Sequence, residues 1–182
     1  MANGIAFLWG FAEATLFFIV PDVALSLIAL DGLEAGLVAS AYAVLGALLG
    51  GAVMFVWGHR DRARAARLVA RVPAIPRRDM DKVQAHLQRW GIVAMLVGPT
   101  LGIPYKIYAL YASQVTDLAR FLGVSIPARG VRFVLVVGLT RWLMARFAPQ
   151  ASLAEQQQAV LWGWAVIYAG YFAFKYGQMR GS

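Results

Sequence analysis

The sequence predicts an all-α integral membrane protein in which two re-entrant helical hairpins and about three transmembrane helices form an inverted repeat. Of the 182 residues, 60% are hydrophobic and 14% are charged, whereas soluble domains are about half apolar and a quarter charged. Two apolar segments are broken by prolines, and most basic residues cluster between them. A chain of this length is expected to form a single domain, here a membrane domain over residues 1–182.

The first half of this repeat comprises residues 1–57. An apolar segment over residues 4–20 is short for a crossing, which takes about 20 residues, and Pro21 separates it from a second apolar piece, residues 23–30. Two short arms around a proline are typical of a hairpin that enters the bilayer and returns to the same face. Residues 33–57 are then long enough for a complete transmembrane helix.

The second half, residues 91–146, repeats this order. Pro99 and Pro104, accompanied by two glycines, break its first apolar run, since a continuous helix does not tolerate them. A long apolar segment follows over residues 121–142 and contains Pro127. Broken segments at equivalent positions of two halves predict an inverted repeat with a site near the bilayer midplane.

A last transmembrane helix, rich in Trp and Tyr, is predicted within residues 156–177. Its aromatic ends fit the two membrane interfaces. Lys175 and Arg180 then mark its end as cytoplasmic, on the side where basic residues accumulate. Together with a glycine groove at Gly46-x-x-x-Gly50, this aromatic helix favours a homodimer.

The segment between the two halves is strongly basic. Nine of the 17 Lys and Arg side chains fall within residues 60–89. The positive-inside rule therefore predicts that residues 58–90 are cytoplasmic. Met80, Val83 and Leu87 give part of it an apolar face, which favours an interfacial helix that touches anionic headgroups. A solvated linker is the alternative.

Composition argues against several other partners. Nucleic-acid binding is not expected, because the basic segment lacks the interleaved aromatics on which bases stack. The chain has no cysteine, and its two histidines, His59 and His86, lie far apart in sequence. Because zinc usually needs three or four clustered ligands, no metal site or other cofactor is expected.

Five ionisable side chains lie within the apolar segments and are the candidate functional residues. They are Glu13, Asp22, Lys106, Arg129 and Arg132. If each faced lipid without a partner, the five together would cost a free energy on the order of 10 kcal/mol. This is comparable to the whole free energy of unfolding of a typical protein. The acids belong to the first half and the bases to the second, so we expect them to meet in a polar cavity where the hairpin tips converge. A structural ion-pair network, or side chains that snorkel to headgroups, is the alternative.

These charges point to transport more than to catalysis. An excess of positive charge beside broken helix ends suits an anionic phosphate headgroup. A carboxylate held in apolar surroundings beside an arginine can change its protonation state, so Glu13 is also a candidate proton carrier. No GxSxG or HExxH motif is present, and an enzyme is not expected. A membrane scaffold and a small-solute or ion transporter remain open.

Several stretches resemble the DedA family, the bacterial branch of the VTT-domain (SNARE-associated Golgi protein) superfamily. They are Phe11-Ala12-Glu13-Ala14-Thr15, Val20-Pro21-Asp22, the glycine-rich residues 46–58, residues 98–106, and Ala128-Arg129-Gly130-Val131-Arg132-Phe133. The similarity covers roughly residues 4–145 and is greatest to the short, YqaA-like branch. It implies two facing re-entrant hairpins in a bacterial inner (plasma) membrane and movement of lipids such as undecaprenyl phosphate or phosphatidylethanolamine, with the proton motive force as an energy source.

The resemblance also implies roles for individual residues. Glu13 and Asp22 match the functional acids of the first hairpin, and Lys106 matches one basic position of the second. Many members carry two arginines around the second proline motif, whereas here Gly98-Pro99 stands where the first would fall and a lysine replaces the other. Lysine cannot make the planar, two-pronged contact of arginine with phosphate, so Arg129 and Arg132 are candidates to compensate.

Overall fold

A computed structural model describes residues 1–73 and 75–180, apart from the side chains of residues 100, 101 and 178–180. The chain is 83% helical, and the described residues contain no strand, which confirms the all-α prediction. Gly181 and Ser182, whose native or added origin the sequence leaves open, lie outside the described residues, as does the side chain of Arg180.

The helices follow one another with short connections. They are α1 (Ala2–Thr15), α2 (Asp22–Ala29), α3 (Leu33–Arg60), α4 (Arg62–Val69), α5 (Arg77–Trp90), α6 (Ala94–Val97), α7 (Tyr105–Ala112), α8 (Leu118–Phe147) and α9 (Leu153–Arg180). Two short 3-10 turns, Gly91–Val93 and Gly98–Leu101, flank α6.

The two halves share an order of elements. In each, a break is followed by a helix of eight residues, α2 or α7, and then by a helix of 28 or 30 residues, α3 or α8. Pro21 and Pro104 stand directly before the two short helices, where a missing N–H is tolerated. Pro99 lies inside the second 3-10 turn, and the chain leaves that turn at Gly102, whose φ of +79° is a conformation that favours glycine.

Among the described residues, two helices are long and apolar enough to cross a membrane, Leu33–Arg60 and Leu118–Phe147, which supports a membrane protein. The second runs through Pro127 without a break, as membrane helices permit when neighbouring groups satisfy the freed carbonyl. The sequence predicts about three such helices. The last helix, α9, is also 28 residues long but is not among the two, because its polar aromatic side chains and Lys175 lower its mean hydropathy.

Glycines let α1 and α3 pack with their backbones in close contact. A Cβ added to Gly46 would collide with the carbonyl oxygen of Phe7, and one added to Gly10 would collide with that of Ala43. Such approach is typical of small residues between membrane helices. The groove at Gly46 is therefore filled by α1 of the same chain. Of the two features on which the homodimer prediction rests, only the aromatic helix α9 is still available for a contact between copies.

The apolar face of α5 points inward. Met80, Val83 and Leu87 are buried in one cluster with residues of α7, on which α5 packs. This face is consequently not available for insertion into lipid, in contrast to the expectation of an interfacial helix, because α7 already covers it. The basic side chains of α5 remain on its outer side.

Burial of α7 determines where its charged residue lies. All eight of its residues, Tyr105–Ala112, are buried, and they pack against α3, α4 and α5. A helix buried on every side orients its side chains rigidly. Lys106, in its first turn, is therefore held in a buried position and is only 2% exposed.

We expect Gly46→Ala to lower the free energy of unfolding by about 1–3 kcal/mol, because its methyl group would displace the α1 backbone. Gly123→Ala, in α8, is the matched control. Nothing lies within 4 Å of its added Cβ, so it should be neutral or stabilise the helix by roughly 0.5–1 kcal/mol. Thermal unfolding in detergent, followed by tryptophan fluorescence, measures both. Equal stability of the two variants would contradict this packing.

Candidate functional site

Four elements bring the five candidate residues to one region. Glu13 lies near the end of α1, Asp22 begins α2, and Lys106 lies in the first turn of α7. Arg129 and Arg132 are three residues apart in α8, so they lie on one side of that helix. The breaks of both hairpins thus meet α8 in the interior of the fold.

Two ion pairs join the halves. Arg129 Nη2 donates to Glu13 Oε2, and their side chains are 2% and 5% exposed. Arg132 donates to Asp22 Oδ2 through Nε at 2.9 Å and Nη2 at 2.5 Å. Each arginine of the second half therefore neutralises one carboxylate of the first, as buried charges require.

Arg129 lies between two aromatic rings that the sequence analysis did not identify. Its guanidinium carbon is 4.9 Å from the ring centroid of Tyr105 and 4.8 Å from that of Phe133. Cation–π contacts of this kind stabilise a desolvated arginine. The hydroxyl of Tyr105 donates to Ser125 Oγ at 2.9 Å, which fixes the ring. In the sequence, the four-residue spacing of Arg129 and Phe133 on one helix is the feature that indicates a contact between these two side chains.

Lys106 has a different kind of partner. Its Nζ donates to the backbone carbonyl of Phe17, in the break of the first hairpin. No ion pair joins it to a carboxylate in the described part of the chain, although the charges of Glu13 and Arg129 act on it. The region thus holds three cations and two anions, with Lys106 as the additional positive charge.

The irregular backbone of residues 16–21 is satisfied by side chains. Trp9 Nε1 donates to the carbonyl of Ile19 at 3.0 Å, and the N–H of Val20 donates to the hydroxyl of Tyr168 in α9 at 2.7 Å. Backbone N–H and C=O groups that form no helical hydrogen bond need such partners wherever water does not reach them. Side chains of α1 and α9 therefore hold this irregular segment in a defined conformation.

A cavity of about 410 Å³ lies beside these charges. Four of the five candidate residues, all except Asp22, line it, together with Trp164, Tyr168 and Phe172 of α9. Arg129 Nε is buried and has no hydrogen-bond partner within the described residues. The cavity lining is consequently amphipathic, because it combines charged side chains of the two halves with aromatic rings of α9.

A further buried ion pair lies at the end of α9. Lys175 Nζ is 2.5 Å from Asp79 Oδ2 in the first turn of α5, and the two residues are 6% and 2% exposed. From the sequence, Lys175 was interpreted only as a marker of a cytoplasmic helix end. A lone lysine between Phe174 and Tyr176 was the signal that it needs a buried partner.

The two histidines lie outside this region. His59 is in the last turn of α3, and His86 is in α5, where its Nδ1 lies 2.9 Å from the hydroxyl of Tyr108. No group of three or more potential metal-ligating side chains occurs among the residues that the structure describes.

Comparison with known proteins does not identify a family for this chain. No protein-family model and no solved structure matches the chain. A Haemophilus influenzae protein described as uncharacterized is 26% identical over 166 residues, which cover 90% of this chain and 83% of the relative. Because that description names no activity, the function is inferred from the geometry of the site.

Removing one partner of the Glu13–Arg129 pair is expected to destabilise the fold, because the other charge stays buried. We expect Arg129→Met to lower the free energy of unfolding by about 3–5 kcal/mol. Adding Glu13→Gln, which removes the second charge, should cost less than the sum of the single substitutions. Denaturation in detergent measures each variant.

Arg120→Met is the control for this cycle. Arg120 is also in α8, but it and its partner Asp117 are 79% and 58% exposed, so its loss should cost at most about 1 kcal/mol. Strictly additive effects of Glu13→Gln and Arg129→Met would show that the two charges do not depend on each other.

Proposed function

We propose that this chain is an integral membrane protein that moves lipids with an anionic phosphate headgroup between leaflets, as a DedA-like transporter. The observation that carries the proposal is the amphipathic cavity, which is lined both by cationic side chains and by aromatic rings of α9. A phospholipid or a polyprenyl phosphate has the same two-part chemistry. Undecaprenyl phosphate and phosphatidylethanolamine are the examples that the resemblance suggests.

The cationic side chains in the cavity lining suit a phosphate. Lys106 supplies a charge that no carboxylate neutralises within the described residues, and Arg132, which also lines the cavity, has a side chain that is 28% exposed. Phosphate oxygens accept short, charge-assisted hydrogen bonds from lysine and arginine. The aromatic rings of α9 in the same lining provide an apolar surface for the part of the lipid next to its headgroup.

Glu13 is the proton carrier in this proposal. Its carboxylate accepts from Arg129 and lines the cavity. Protonation would remove the negative charge of Glu13 and release Arg129 Nη2 for a phosphate oxygen. Proton movement and headgroup binding would thereby be coupled through one ion pair.

The membrane arrangement follows from the shared order of elements. We propose that α1 and α2 form a hairpin re-entrant from the outer face, and that residues 91–112 form its inverted counterpart from the cytoplasm of a bacterial inner membrane. In this arrangement α3, α8 and α9 cross the bilayer, and residues 58–90 are cytoplasmic. The Asp79–Lys175 pair supports it, since it joins the end of α9 to the basic segment.

A membrane scaffold is the competing function, and one observation favours it. Both arginines are paired, and Lys106 satisfies a backbone carbonyl of the first hairpin. All five charges could then serve only to hold the halves together. Transport by purified protein, and its loss in a folded Lys106 variant, distinguish the two functions.

We expect Lys106→Met to slow redistribution of a fluorescent phospholipid in proteoliposomes at least about tenfold, since one charge-assisted bond to phosphate is lost. Lys106→Arg should retain part of the rate, and Glu13→Gln should abolish it. Lys82→Met, which removes an exposed cation from α5, is the matched control and should be unaffected. Unchanged transport by a folded Lys106→Met protein would refute the site.

The membrane arrangement is tested by single cysteines, because the chain has none of its own. Gly4→Cys, Asp31→Cys and Ala154→Cys replace exposed residues that we expect to react only with an impermeant maleimide added outside. Ala63→Cys, exposed in α4, should react only after the membrane is permeabilised. Reaction of Gly4→Cys and Asp31→Cys from opposite sides would exclude a re-entrant first hairpin.

A further inference from the structure

The aromatic wall of the cavity is attached to the rest of the molecule at few places. Helix α9 packs mainly on the short helix α2. In its middle, Trp164 Nε1 donates to Ser26 Oγ at 3.1 Å, and Tyr168 accepts from the N–H of Val20. The other side of α9, which includes Trp162 and Val166, is exposed. Among the described residues, the middle of α9 is therefore held by these two hydrogen bonds and by the contact of Phe172 with Phe18, whose ring centroids are 6.0 Å apart.

Near its C-terminal end, α9 is held by the Asp79–Lys175 pair. Lys175 Nζ also lies 5.8 Å from the ring centroid of Tyr171, which lines the cavity. Ile75, two residues before α5 begins, also lines the cavity. The ion pair thus joins the two elements between which the cavity would open.

We propose that the Asp79–Lys175 pair is a latch that holds α9 against α5 and thereby controls entry to the cavity. Separation of the pair lets this end of α9 move away from α5, which opens the cavity sideways between the two helices. Its identification as an entry for lipid rests on the proposed function, whereas the latch itself is a property of the fold.

An ion pair suits this role better than an apolar contact. A buried pair adds little stability over apolar residues of the same volume, but separation of one partner from the other is strongly unfavourable while both stay buried. Opening beside the basic segment exposes both charges to water or headgroups, where each is solvated. The contact therefore has two defined states. In one the two charges are paired and excluded from water, and in the other they are separated and each is hydrated.

The position of the latch also limits which part of α9 moves. The contacts of Trp164 and Tyr168 lie seven or more residues closer to the start of α9 than Lys175. These contacts satisfy the break of the first hairpin and Ser26 of α2, so they remain necessary for the fold. We therefore expect α9 to pivot about its middle while its C-terminal part opens.

Cysteine accessibility tests the latch without any transported substrate. Ile103 is 7% exposed and lines the cavity, and Ile103→Cys would be the sole thiol of the chain. In this background we expect Asp79→Asn and Lys175→Met each to raise the rate of reaction with N-ethylmaleimide roughly tenfold or more, because the unpaired charge drives opening. Ala154→Cys, exposed at the start of α9, should react at the same rate in every variant.

Matched variants distinguish opening that is controlled by the Asp79–Lys175 pair from a general destabilisation of the fold. Asp81→Asn removes an exposed carboxylate from the same helix and should leave Ile103→Cys slow. Exchange of the two charges, Asp79→Lys with Lys175→Asp, should return the rate toward that of the parent, and so should the apolar pair Asp79→Leu with Lys175→Met. Equal rates in folded Asp79→Asn and parent proteins, or a charge exchange that stays as fast as the single variants, would overturn the latch.

The result of the cysteine-labelling experiment is independent of the transport assay. A protein that labels as expected but moves no lipid would retain the latch and lose the proposed function. A protein that transports lipid with no change in labelling would retain the function and lose the latch.

Discussion

The fold depends on neutralising carboxylates and guanidinium groups that are removed from water. Glu13 and Asp22 come from one half of the chain, and Arg129 and Arg132 come from the other, so neither half can satisfy its own buried charges. An isolated ion in such an environment costs several kcal/mol even after relaxation. This constraint explains why α8 lies against the first hairpin and why Tyr105 and Phe133 enclose the guanidinium of Arg129.

A second constraint acts on the same region. The first hairpin leaves its helical path at residues 16–21, and its free backbone groups are met by Trp9, Lys106 and Tyr168. The polar groups that a transporter would use for binding are thus also the groups that the broken backbone needs. Structure and proposed function share these side chains, and for this reason stability and transport have to be measured separately for every variant.

The sequence was informative where a residue type has a strong physical preference. Pro21 and Pro104 indicated breaks because proline cannot donate a backbone hydrogen bond, and each stands directly before a short helix. Charged residues in apolar segments indicated a buried site because lipid does not solvate them. Pro99 and Pro127 were less informative, since a 3-10 turn and a long helix accommodate them.

The sequence was less informative about which groups meet. The partner of Lys106 is a backbone carbonyl, and no residue type marks such a partner in a sequence. The apolar face of α5 had the pattern of a membrane-surface helix, but the same pattern fits a helix that packs on a protein neighbour. Asp79 and Lys175 are 96 residues apart, and no local sequence pattern indicates a contact over that separation. The composition of α9 lies between that of a crossing helix and that of an interfacial one, so it did not distinguish the two.

The ion pairs across the halves also affect how the protein is made. Glu13 and Arg129 are 116 residues apart, and Asp22 and Arg132 are 110 apart. During synthesis the first hairpin leaves the ribosome long before its counter-ions exist, and contacts of such separation form late. The buried carboxylates of the first half therefore have no counter-ion until α8 has been made. Both ion pairs are consequently expected to form late in folding, when the two halves come together.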